Sequence, residues 1–251
     1  MKKEIISTLI NRYDYSGAYG LAASEDNQFL VGLLDICRHM VNFDFINAQR
    51  LLTKYGAYFP LELSSYLEKN LMELIYGDPS AIFSEHLSNI AFQVEREEYI
   101  DLLGRVYRFN EAFMKYIFFI QHQEVVSVFD EVFEEDRTLR VLRKRYKIHN
   151  RNVIFAVAEY IYKFSRNPSL KRAANFITGS SMKALADLRN ASIVGHGFEA
   201  VSYDDIRASY GEPQVLIKDI ETLMVKSGLV IDRDKYKKIN SYLLKELRYE
   251  K

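Results

Sequence analysis

The sequence has a single cysteine, Cys37, so no disulfide can form within the chain. With so few clustered His and Cys residues, a closed thiolate zinc site is also excluded. Four prolines and 11 glycines in 251 residues leave few chain breaks, which favours helices over many short strands. Charge of neither sign dominates: 34 Lys and Arg face 34 Asp and Glu. Overall charge therefore predicts no nucleic-acid or membrane partner, and binding to either would need a local patch. No apolar run reaches membrane-spanning length, and "MKKEIISTLINRYDY" turns polar and aromatic too soon for a secretory signal. A reduced, cytoplasmic compartment is the simplest expectation, with no membrane partner, metal or cofactor.

Tryptophan is absent, yet there are 18 tyrosines and 16 phenylalanines, and hydrophobic residues make up 48% of the chain. That composition belongs to a folded globular protein. Tyrosines pack their rings and still offer a hydroxyl, which suits interfaces.

Helical periodicity runs through the chain. Leu103, Val106, Phe113, Ile117 and Ile120 recur at helical spacings in "YIDLLGRVYRFNEAFMKYIFFIQ", which places them on one helix face. Val215, Ile217, Ile220 and Leu223 or Met224 repeat the pattern, with Gly228 as a C-terminal cap. No series of alternating strands with hairpin turns stands out. The expected fold is all-α.

"YDYSGAYGLA" (13 to 22) and "FDFINAQRLL" (43 to 52) share an aromatic-Asp-aromatic entry followed after two residues by Ala. The Asp can cap a helix, its neighbours can staple it, and Ala permits close helix approach. Two such units resemble a helical-repeat hairpin. Gly77 and Pro79 punctuate the run near 76 to 83, so the expected division is an N-terminal helical region, 1–79, and a second helical domain, 80–251.

Acidic "DEVFEED" (130 to 136) precedes basic "RTLRVLRKRYKIHNR" (137 to 151). Arg137, Arg140, Arg143, Lys144, Arg145, Lys147 and Arg151 could meet phosphates, but a solvated face paired with the acidic stretch is the commoner arrangement. Arg105, Arg108 and Glu111 follow at three-residue steps, which fits an ion pair on a solvated face better than support of a site. His39, His86 and His122 show no ligand pattern and read as structural.

The stretch "SSMKALADLRNASIVGHG" (180 to 197) is less ordinary. Ser180 or Ser181 can cap a helix that buries Met182, Leu185 and Leu188. If that helix runs on to Gly197, Arg189 and His196 return to one face with a rise of about 10 Å. Ser192 lies between them and Asn190 about 100° around the helix. Arg143 and His149 have a similar spacing but sit in a dense basic run without apolar framing. The plain alternative makes Arg189 a surface residue, Asn190 a local cap and His196 a complement to the helix dipole. Gly195 and Gly197 shape the helix end rather than bind phosphate.

Arg-Asn, a short apolar spacer and His, closing an Ala- and Leu-rich helix in an all-α chain, resembles the HEPN ribonuclease superfamily. With the Tyr-Asp-Tyr entry at 13 to 15 and "YIDLLGRVYRFNE" at 99 to 111, it is similar to the C-terminal part of the type III-A CRISPR-associated ancillary ribonucleases. The resemblance implies an all-α domain of HEPN type at 80–251. It also implies a homodimer whose two motifs meet to cut single-stranded RNA without metal, through Arg189, Asn190 and His196. Members of that family usually carry an N-terminal α/β sensor domain for cyclic oligoadenylate. No strand-rich segment or phosphate-cradling glycine loop matches it here, so activation by cyclic oligoadenylate is not expected, and the chain reads as an effector half or a short form.

The residue types suit the chemistry. RNA carries its own nucleophile, the 2′-hydroxyl, so proton transfer and charge stabilisation suffice. An imidazole can accept or deliver a proton near neutrality, a guanidinium meets the charge growing on phosphate, and an amide orients either. Two other functions fit the same sequence: a catalytically idle helical module that grips a partner protein, and the toxin half of a toxin–antitoxin pair.

Overall fold

The two aromatic-Asp-aromatic stretches adopt the same turn. In the computed structural model, which describes residues 1–121 and 135–249, Tyr13 and Phe43 take left-handed φ values of 58° and 60°. Each closes the helix before it. The Tyr13 and Asp14 N–H groups donate to the Ile10 and Leu9 carbonyls, and those of Phe43 and Asp44 donate to Met40 and His39. These paired bonds satisfy carbonyls that a helix end leaves open. The Asp then caps the following helix, with the Asp14 carboxylate accepting from the Gly17 N–H at 2.8 Å and Asp44 from Asn47 at 3.3 Å. His39 braces the second turn through Asp44, at 2.8 Å. The next aromatic is buried in both, Tyr15 and Phe45, as are the small residues Ala18 and Ala48. The sequence repeat is a structural one.

The described residues form α1 (Lys2–Asn11), α2 (Tyr15–Ala22), α3 (Gln28–Val41), α4 (Phe45–Tyr55), α5 (Leu61–Ile75), α6 (Pro79–Arg96) and α7 (Tyr99–Gln121). They continue as α8 (Glu135–Tyr146), α9 (Val153–Phe164), α10 (Pro168–Ile177), α11 (Ser180–Ala191), α12 (Tyr203–Ser209), α13 (Pro213–Lys226) and α14 (Lys235–Tyr249). Among the described residues there is no strand, only an isolated bridge between Ser192 and Glu199. The fold is all-α, as the periodicity predicts.

Two units divide the chain. The first holds residues up to Ala81 and those from Asp232 onward. α3 is its centre, with Leu30, Leu33, Leu34, Ile36 and Met40 fully buried. α4 packs so tightly on it that a Cβ on Gly32 would lie 2.5 Å from the Tyr55 ring. α14 belongs to this unit. Asn240 accepts from the Tyr15 hydroxyl at 2.8 Å and donates to the Ile10 carbonyl at 2.9 Å, and Asn27 donates to Glu246 at 3.0 Å. The expected division into 1–79 and 80–251 is corrected by these bonds. The punctuation at Gly77 marks a real turn, but the last helix returns across the sequence to complete the first unit.

The second unit spans Ile82–Ile231. α7 runs through its core, where Phe83, Phe109 and Phe113 pack ring on ring at 5.3–5.8 Å. α9, α10 and α11 surround it with buried Val157, Ile161, Ala173, Ala174, Met182 and Leu185. On α7, Leu103, Val106, Phe113 and Ile117 are buried as expected, and Ile120 is partly so. On α13, Ile220, Leu223 and Met224 are buried, while Val215 is exposed and Leu216 takes its place. Gly228, at φ 90°, closes that helix as expected, with Gly228 and Leu229 donating to Val225 and Met224. Glu111 departs from the sequence expectation. It does pair with Arg108 at 3.1 Å, but it also binds Lys115 at 2.9 Å, and both Glu111 and Lys115 are buried rather than solvated.

Candidate functional site

α11 starts at Ser180 with Gly179 in the capping position and no side-chain cap, so neither Ser180 nor Ser181 plays that part. Met182 and Leu185 are buried and Leu188 is partly buried, which fixes α11 against α7. The helix ends at Ala191, and Ser192 is extended, at ψ 175°. It does not run on to Gly197. The single stripe expected to carry Arg189, Ser192 and His196 therefore does not form.

A reversing loop brings the residues together instead. The last helical carbonyls need donors, and the loop supplies them. The His196 N–H donates to Asn190 at 3.0 Å and the Glu199 N–H to Ala191 at 3.0 Å. The fully buried Ser192 sends its hydroxyl to the Arg189 carbonyl at 2.9 Å. Within the loop, the Gly195 and Gly197 N–H groups converge on the Ser192 carbonyl at 2.9 and 3.3 Å.

This path requires both glycines. A Cβ on Gly195 would sit 2.3 Å from the Arg189 carbonyl oxygen, and one on Gly197 would sit 1.9 Å from that of Ala191. These obstacles are backbone atoms and cannot rotate away. The two glycines shape the helix end, as the sequence reading holds, by letting the loop lie against it.

Arg189 is partly buried, with its guanidinium 4.7 Å from the centre of the Tyr107 ring on α7. Its Nη1 donates to the Asn190 side-chain oxygen at 3.1 Å. Its Nε is buried and has no hydrogen-bond partner among the described residues. A buried unpaired donor costs about 1–3 kcal/mol, and the π face beneath the guanidinium offsets part of that. Asn190 and His196 are exposed. So are Ile193 and Phe198, at 66% and 91%, which bracket His196 in the loop. Val194 turns inward, 4.0 Å from where a Cβ on Gly104 of α7 would lie.

Arg189, Asn190 and His196 thus share one structural unit, the end of α11 and the loop folded onto it. Tyr107 escapes sequence reasoning, since nothing local in "YIDLLGRVYRFNE" distinguishes it from a core aromatic. Arg143 and His149 are both exposed, at the end of α8 and just beyond it. Arg140, Arg143, Lys144, Arg145, Lys147 and Arg151 are exposed too, while most of the acidic stretch expected to pair with them lies outside the described residues. His122 lies outside them as well. His86 packs against Phe109, its ring centre 6.1 Å away. Burial, aided by the charges of Arg105 and Arg108, pushes its pKa down to about 4.

Among the described residues, no group of three or more His, Cys, Asp or Glu stands together as a metal site. No helix is long and apolar enough to cross a membrane. Compared with known proteins, the chain matches no family model and no curated protein.

Proposed function

We propose that this chain is a metal-independent endoribonuclease of HEPN type, acting on single-stranded RNA as a homodimer in type III CRISPR defence. The observation that carries the reading is the folded-back loop. It anchors the backbone N–H of His196, whose imidazole is exposed, to the carbonyl of Asn190, the residue next to a guanidinium held on Tyr107. His196 takes the proton of the 2′-hydroxyl or returns one to the leaving 5′-oxygen. Arg189 meets the charge on the phosphorane, and Asn190 orients it through their shared hydrogen bond.

One copy offers a single imidazole, whereas the reaction benefits from a base and an acid. Two copies related by a two-fold axis supply both. The exposed Ile193 and Phe198, on either side of His196 in the loop, suit such an interface, because large apolar side chains gain by being covered.

The test is cleavage of labelled single-stranded RNA in EDTA. Products should end in 2′,3′-cyclic phosphate and 5′-hydroxyl, and a 2′-deoxy nucleotide at the scissile position should bind and survive. Products with 5′-phosphate, or activity abolished by EDTA, would replace this reading with metal-activated water. No cleavage of any RNA would leave the fold without this activity.

A further inference from the structure

A second cavity lies within the same unit, lined by α10 and α13 and distinct from the residues of the reversing loop. It measures about 270 Å³ and is lined by Ser169, Arg172, Ala173, Phe176, Asp219, Thr222, Leu223, Lys226 and Ser227. That is close to the lower edge of the ~300–1,000 Å³ typical of small-molecule sites. Its apolar floor comes from Ala173, Phe176 and Leu223, and its charged groups are two cations, Arg172 and Lys226, and one acid, Asp219.

Arg172 and Lys226 are both exposed at the cavity, and neither is ion-paired among the described residues. Arg172 instead donates to the Ser169 hydroxyl at 3.1 Å. The Ser227 hydroxyl oxygen is buried and has no hydrogen-bond partner among the described residues. Buried hydroxyls left unpaired are uncommon in folded proteins, and rotation about the Ser227 Cα–Cβ bond turns this covered hydroxyl toward a ligand oxygen in the cavity. Asp219 is the only acid in the lining. One of its oxygens accepts from the Tyr210 hydroxyl at 2.9 Å, which leaves the other to accept from a ligand.

We infer that this cavity binds a nucleoside monophosphate group. The phosphate meets Arg172, Lys226 and the Ser227 hydroxyl, where two cations and a neutral donor match its charge and oxygens. The base lies on the ring of Phe176 and the side chain of Leu223, since every base has a π face for an aromatic platform. Asp219 accepts from a ribose hydroxyl or an exocyclic amine. A fatty acid satisfies the cations and the apolar floor but offers no donor to Asp219, and inorganic phosphate leaves the floor empty. The larger cleft of about 510 Å³, between Glu95, Glu97, Tyr99 and Tyr203, has acids and no cation, so it does not suit a phosphate.

The group can arrive as a free mononucleotide or as the phosphorylated end of an RNA chain. Neither source depends on the chain being a ribonuclease, so the test reads binding and not cleavage. Calorimetry with adenosine 5′-monophosphate should give saturable binding at least tenfold tighter than adenosine or inorganic phosphate. Arg172→Gln with Lys226→Gln should weaken it tenfold or more while the far-ultraviolet circular dichroism stays unchanged. Ser227→Ala should weaken it about threefold and leave the thermal midpoint of the unliganded protein equal or higher, because an unpaired buried hydroxyl has been removed. A 5′-phosphorylated oligoribonucleotide that competes with the mononucleotide supports the RNA-end source, and one that does not supports the free nucleotide. Absence of saturable binding of both at millimolar concentration overturns the inference. So does binding indifferent to the double variant, or a palmitate affinity exceeding that of the nucleotide.

Discussion

The backbone N–H of His196 donates to the carbonyl of Asn190 at 3.0 Å. One bond thus links the two ends of the Arg-Asn…His stretch and satisfies a helix-terminal carbonyl at the same time. The imidazole is positioned by main chain rather than by a continuing helix, and the glycines on either side of it are the condition for that.

Gly195→Ala and Gly197→Ala should therefore each dislodge the loop. Forcing a Cβ against backbone typically costs about 1–3 kcal/mol. RNA cleavage should be lost, and the His196 amide should lose protection in hydrogen exchange. Gly20→Ala is the control, because a Cβ there meets nothing within 4 Å and lies on the exposed face of α2. It should stabilise by about 1 kcal/mol. Full protection of the His196 amide in Gly197→Ala would show that the loop does not depend on this approach.

Tyr107 is a positioning residue for Arg189. Tyr107→Leu removes the π face and should lower kcat/KM about 3- to 30-fold, the equivalent of a cation–π contact worth ~0.5–2 kcal/mol. Tyr107→Phe keeps the face and should restore most of it. If the Phe and Leu variants lose activity equally, the ring face is not what holds the guanidinium.

His196→Ala and Arg189→Ala should each suppress cleavage by about 10²- to 10⁴-fold, with melting nearly unchanged in His196→Ala, whose side chain is exposed. His149→Ala, in the basic run, should cleave like the parent chain. An active His196→Ala beside an inactive His149→Ala would move the site to the basic run at the end of α8.

Replacing Phe198, 91% exposed, by Asp should weaken self-association without touching the core. Specific activity should then fall in step with the dimer fraction measured by ultracentrifugation. A monomeric variant with undiminished activity per chain would remove the composite site.

His86 makes stability depend on pH. Its folded pKa of about 4 lies below the ordinary imidazole value of 6.5, so between these values the unfolded chain binds a proton that the folded chain refuses. Stability from this group is complete above about pH 6.5 and is lost as pH falls toward 4, by roughly 1–3 kcal/mol. Urea unfolding of the parent and of His86→Leu at pH 7 and pH 5 checks the sign. The variant should show the smaller decline, and an identical decline would show that His86 does not carry the effect.

Much of the molecule follows from local chemistry. The spacing of Leu103, Val106, Phe113 and Ile117 makes a helix in any context that buries one face. Asp14 and Asp44 cap the helices they precede because a short carboxylate reaches the next turn's N–H without help from elsewhere. Gly228 stops α13 for the same local reason. The association of Arg189, Asn190 and His196 is also legible, but its geometry is not. A seven-residue interval fits a helical stripe as well as a reversed loop, and only the fit of Gly195 and Gly197 against the end of α11 decides for the loop. The remaining features depend on contacts between distant residues. α14 joins the first unit because Asn240 finds Tyr15 and Ile10, and Arg189 is held by a ring on α7 that no local pattern marks. Sequence determines which segments become helices and, where a capping Asp or a left-handed turn marks them, where they begin or stop, since these signals act within a few residues. Tertiary structure alone decides which helix ends meet, because burial and hydrogen-bond satisfaction are settled between residues that the chain itself keeps far apart.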